Sequence, residues 1–209
     1  MKNFTTLFTA ILMTFAITVF ANDNVKVYEG SVVLENGETL VGQIQMLSPT
    51  MNEVKVKFIA SNGKAKTYRA NEVAAYSFAF PKYDAKTKTY KNITIEYVKK
   101  EVTVTPVPFG PKSVLVERQV TGTINLYNFY VETRAAEHAF THNYFVEKDG
   151  QMITMNRSNF KIILKDMVAD YPELQVKIGK RGYGYRQIAQ IIKEYNEYSA
   201  PKGAFFGMN

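Results

Sequence analysis

Two Asn-Gly pairs, Asn36-Gly37 and Asn62-Gly63, each stand between runs in which apolar and polar residues alternate. This restricts the chain more than any other feature, because such a pair tolerates positive φ and folds its flanking runs back on one another in a set register. The first pair is flanked by residues 25–34 and 39–46, the second by 54–58 and 65–70. Both residues of each pair are expected at positive φ. A fifth run, 76–80, ends at Pro81. Residues 82–92, with Lys82, Lys86, Lys88 and Lys91, read as a long hairpin loop or an exposed strand end. Alternation resumes over 93–98 and 102–105, and then Pro106, Pro108, Gly110 and Pro111 mark a boundary or a corner between sheets. Residues 113–131 read as one long β run bent at Gly122, and 132–143 as a polar, mobile loop. A last hairpin turns at Asp149-Gly150.

Beyond residue 156 the hydrophobic period lengthens from two to about three and a half. Phe160, Ile163, Leu164, Met167 and Val168 make one helical stripe behind Ser158 or Asn159 as N-cap, and Pro172 opens a short turn. Tyr185, Ile188, Ile191, Ile192 and Tyr195 make a second stripe. The predicted fold class is therefore α+β: an antiparallel barrel or sandwich of about eight to ten strands with two or three C-terminal helices. The organisation expected is a β domain over 22–156, a helical segment packed on it over 157–198, and a loose tail over 199–209.

Residues 1–21 carry one charge, Lys2, then an uncharged core, then Val19 and Ala21 at the positions a signal peptidase reads. Export and cleavage after Ala21 are expected, leaving 188 residues with 25 basic and 19 acidic side chains, a net charge of +6. The apolar core is too short to serve as a stable anchor. With no cysteine, the chain can have no disulfide, thiolate metal site or cysteine nucleophile. The positive charge fits an anionic envelope component (lipopolysaccharide, phospholipid head groups or acidic glycans) or another envelope protein as partner. Peripheral membrane contact stays open, with no transmembrane segment in the mature chain and no nucleic acid expected. Set against this is the simpler reading that cations spread along the chain form a solvated surface.

Few residues point to chemistry. The two histidines, His138 and His142, have the spacing that would place both on one face of a helix and chelate zinc or nickel, but Ala139 stands where a metalloprotease helix has its Glu. The simpler reading is a solvated loop with no metal, and the sequence calls for no cofactor. There is no Gly-x-Ser-x-Gly elbow. Paired carboxylates stay open, since their separation is a matter of folding. Gly179–Arg186 combines three glycines, three cations and two tyrosines ahead of the last helix. Lys180, Arg181, Tyr183, Tyr185 and Arg186 are the candidate residues for an anionic ligand there, set against a plain glycine-permitted connector whose tyrosines cap the core.

The combination of signal peptide, Asn-Gly hairpins, a "VTGTINLY" strand and helices ending in "IIKEYN" resembles exported bacterial proteins of the cell envelope that carry no agreed activity. The resemblance implies a periplasmic or outer-membrane-associated location and this architecture, and no site residues. The expected function is a non-enzymatic interaction or ligand-binding module. The alternatives are a hydrolase of envelope polymers, metal-assisted through His138 and His142, and an outer-membrane barrel, which the helical C-terminal third opposes.

Overall fold

The computed structural model describes residues 26–102, 112–134 and 139–200. The predicted signal peptide, the Pro106–Pro111 boundary, His138 and the tail beyond Ala200 lie outside the described residues.

Ten antiparallel strands form a single sheet: β1 Val27–Leu34, β2 Thr39–Gln45, β3 Lys55–Ile59, β4 Ala65–Arg69, β5 Val73–Asp84, β6 Thr89–Glu101, β7 Ser113–Val120, β8 Ile124–Arg134, β9 Ala139–Lys148 and β10 Gln151–Met155. Their spatial order is β10-β9-β8-β7-β6-β5-β1-β2-β3-β4, so β5 returns to the free side of β1 and the chain then meanders outward. The sheet is not closed, and β4 and β10 are its edges. The α+β class holds, and of the two forms expected, barrel or sandwich, the open sheet excludes closure among the described strands.

Both Asn-Gly turns reverse the chain, but not with the expected backbone. Gly37 and Gly63 have φ of 85° and 78°, whereas Asn36 and Asn62 do not take positive φ. The N–H of Gly37 donates to Leu34 O and that of Leu34 to Glu38 O, closing a three-residue loop with glycine in the left-handed position. The Asn36 Oδ1 accepts from Glu38 N–H at 3.0 Å, and Asn62 does the same for Lys64. Asparagine serves here as an acceptor rather than as a second left-handed residue. Only Asp149-Gly150 has both φ values positive, at 52° and 75°.

Residues 113–131 are two strands rather than one: the chain turns back at Thr121–Thr123, and β7 pairs with β8. Glu132–Asn143, expected as a mobile loop, falls largely within β8 and β9, which pair as far as Arg134↔Ala139. The reason is that His142 packs between the rings of Tyr130 and Tyr144, so a polar stretch carries a half-buried face that composition alone does not reveal.

Helices α2 (Phe160–Met167), α3 (Pro172–Gln175) and α4 (Ile188–Ser199) follow the last strand. Their stripes close on Ile124, Leu126, Val146 and Met155 of the sheet, with Leu164, Leu174, Ile188 and Ile191 fully buried. Each such aliphatic side chain contributes about 2 kcal/mol of burial free energy. The Asn196 side chain holds α4 in place: its Oδ1 accepts from Ile124 N–H at 2.8 Å and its Nδ2 donates to Ile124 O at 2.9 Å.

One helix was not anticipated. Pro49–Val54 forms α1, with Pro at its first position behind Ser48. It leaves the sheet between β2 and β3 yet packs against β7 and β8, which lie across β1, β5 and β6 from it. The sheet is therefore cupped, and α1 lies inside the cup. A second core of Val32, Ile44, Phe58, Tyr76, Phe78 and Tyr97 fills this end.

Candidate functional site

The cupped face is the candidate site. Alternation sends Tyr76, Phe78 and Phe80 of β5, Ile95 and Tyr97 of β6, Glu117 of β7 and Tyr130 of β8 to one side, as the register requires. Between them and the start of α1 runs a groove of about 260 Å³. Tyr28, Phe78, Phe80, Ile95, Tyr97 and Tyr130 provide its aromatic and aliphatic walls, and Lys26 and Glu117 its charged groups. The rings are ordered against one another: Tyr76 stacks on Tyr97 with centroids 4.5 Å apart, and Tyr28 on Phe78 at 5.4 Å.

Glu53 sits one layer behind this wall. It is 1 % exposed. Registered pairing of β8 with β7 stops at Asn128, and the N–H of Tyr130 donates instead to Glu53 Oε1 at 2.7 Å. Its other oxygen, Oε2, is buried with no hydrogen-bond partner. Loss of hydration, with help from the nearby charge of Glu117, lifts its pKa from 4.5 to about 9. Glu53 is thus a neutral carboxylic acid at pH 7. Next to it, Tyr76 donates its hydroxyl proton to Asn52 O at 3.2 Å, and burial pushes Tyr76 and Tyr97 above the ordinary tyrosine range.

Glu117 also begins a hydrogen-bonded series across three strands. Asn128 Nδ2 donates to Glu117 Oε2 at 3.0 Å, and Asn128 Oδ1 lies 3.1 Å from His142 Nε2. With the amide so oriented, His142 Nε2 is the protonated nitrogen of a neutral ring. Burial lowers the His142 pKa, which favours that neutral form. The ring lies between Tyr130, stacked at 4.9 Å, and Tyr144, edge-on at 4.6 Å. His142 is thus a packed residue on a strand rather than on a helix, and its i, i+4 partner His138 lies outside the described residues. Among the described residues no three His, Asp or Glu side chains are grouped to hold a metal.

The loop Gly179–Arg186 is folded on itself. Gly179 N–H donates to Tyr183 O at 2.8 Å, Tyr183 N–H to Lys180 O at 3.0 Å, and Gly184 N–H to Gln187 Oε1 at 3.2 Å. Tyr183 and Tyr185 pack on the C-terminal core. The Tyr183 hydroxyl donates to Glu194 at 3.0 Å and that of Tyr185 to His142 O at 3.3 Å. Lys180, Arg181 and Arg186 are exposed. Of the candidate residues, the structure joins Tyr185 to His142 and leaves the three cations in solvent.

Glu53, Glu117, Asn128 and Tyr130 escaped sequence reasoning. The one available signal was Ser48-Pro49, a helix start too short to register as a periodic stripe. No protein-family model, curated protein or solved structure matches the chain.

Proposed function

We propose that this chain is an exported cell-envelope protein that acts as a non-enzymatic ligand-binding module, with the cupped groove as its binding site. The observation that carries the reading is the groove itself: ordered aromatic walls around about 260 Å³, with a buried neutral acid behind them. Concave, mostly apolar sites with a few placed polar groups are what small ligands select. The occupant that fits is a compact amphiphile, its apolar body on Phe78, Phe80 and Ile95 and its polar end toward Lys26 or Glu117. Export is supported by the residue pattern of 1–21. Among the described residues no helix is long and apolar enough to cross a membrane.

The test is anilinonaphthalene sulfonate, an anionic amphiphile, added to the native protein. One dye should bind per chain, and Ile95→Trp, which fills the groove, should abolish binding without lowering the melting temperature. Dye binding indifferent to Ile95→Trp overturns the assignment.

A second reading, a hydrolase of envelope polymers, is favoured by the His142–Asn128–Glu117 series alone. Release of soluble fragments from purified envelope material, lost in His142→Gln, would support that reading over simple binding.

A further inference from the structure

The β5–β6 hairpin outgrows the sheet that bears it. β1 flanks β5 only as far as Gly30↔Phe78, and β7 flanks β6 only from Tyr97↔Glu117. The six pairs from Ala79↔Thr94 to Asp84↔Thr89 have no strand on either side. They form a two-stranded ribbon projecting about 20 Å at ~3.4 Å per residue. A ribbon of this kind is marginal in water unless something covers it.

Its surface is unusual on both faces. Tyr83 and Tyr90 are cross-strand partners with rings 5.3 Å apart, and they are 52 % and 72 % exposed. On the other face Lys82 stands directly opposite Lys91, an arrangement that destabilises a strand pair. Asp84 relieves Lys91 at 3.1 Å, while Lys82, Lys86 and Lys88 have no ion pair among the described residues. The tip thus carries four cations against one acid, beside two exposed phenol rings.

We infer that this ribbon docks the protein on an anionic lipid surface. Lysines gain attraction from anionic headgroups, and tyrosine rings settle at headgroup depth with their hydroxyls wet. Such a surface turns the Lys82–Lys91 repulsion into a shared attraction and covers the tyrosines. The ribbon shares Phe80 with the groove wall, but Lys82, Tyr83, Lys86 and Tyr90 do not line the groove, so tests on these four residues separate the inference from the ligand-binding reading.

The experiment is co-sedimentation of the protein, as isolated after export, with vesicles of phosphatidylglycerol and phosphatidylethanolamine, and with neutral phosphatidylcholine vesicles. Binding to the anionic vesicles is expected, weakened by high salt and by about thirtyfold in Lys82→Gln/Lys86→Gln. Tyr83→Ser/Tyr90→Ser should weaken it by a part that salt does not alter. Both pairs lie in the exposed tip, and unchanged circular dichroism verifies the fold. Equal binding by wild type and both variants overturns the inference. So does binding to soluble polyglutamate, but not to vesicles, with the same lysine dependence, which would make the partner an acidic polypeptide.

Discussion

Replacing Glu53 by Gln is expected to stabilise the protein at neutral pH and to flatten its response to alkali. Glutamine has nearly the shape of the protonated acid, keeps an oxygen for the Tyr130 N–H, and leaves one unpaired polar group where the acid also leaves one. The difference lies in the unfolded chain. There the carboxyl titrates at its ordinary 4.5, whereas in the folded protein it holds its proton to about 9. Below pH 4.5 both states are protonated and the acid costs nothing. As pH rises from there to 9, only the unfolded state releases the proton, so stability falls by about 1.4 kcal/mol per pH unit. At pH 7 the accumulated loss is about 3 kcal/mol. Glu53→Gln removes it, which for a chain of this size means a melting temperature higher by roughly 6–12 °C. The assay is calorimetric melting of wild type and variant between pH 4.5 and 9. The curves should coincide at the acid end and diverge steadily toward alkali. A constant offset across that range, or a variant less stable at pH 7, would refute the argument that Glu53 is a buried neutral acid.

Other perturbations follow from the same geometry. Gly37→Val and Gly63→Val place a β-branched residue at φ near 80° with open space around it, so each should cost about 1 kcal/mol or more through the backbone alone, seen in denaturant midpoints. Gly122→Ala drives a methyl into the Asn196 amide that clamps Ile124, and should lower stability by about 1–3 kcal/mol. Hydrogen exchange should localise the loss to α4 and its contact with β8. His142 has its pKa lowered by burial from 6.5, so its contribution to stability is present above pH 6.5 and is lost as pH falls through the folded value. The acid side of the melting profile should be shallower in His142→Gln than in wild type.

The strands, their turns and the C-terminal helices were largely legible because each depends on neighbours close in the chain. Alternation marks a half-buried strand wherever it lies, and the Phe160–Val168 and Tyr185–Tyr195 stripes mark faces seeking a core. Even the errors were local in kind. Gly122 signalled a break but not whether the chain bent or reversed, and Asn36 and Asn62 offer two turn chemistries that differ only by φ.

What the tertiary structure alone decided is the site. That β5 returns to β1, and that the sheet cups until α1 meets β7 and β8, follows from how side-chain volumes pack across distant segments, and no periodic pattern records it. The chemistry of Glu53 depends on that packing: its hydrogen bond comes from Tyr130, 77 positions away, and its proton from the exclusion of water by rings on other strands. Likewise the i, i+4 spacing of His138 and His142 belonged to the sequence, but the strand on which His142 lies, and the Asn128 and tyrosines around it, set what that imidazole can do. Local periodicity is written residue by residue, whereas desolvation and partnership arise only when the whole chain has closed around a group.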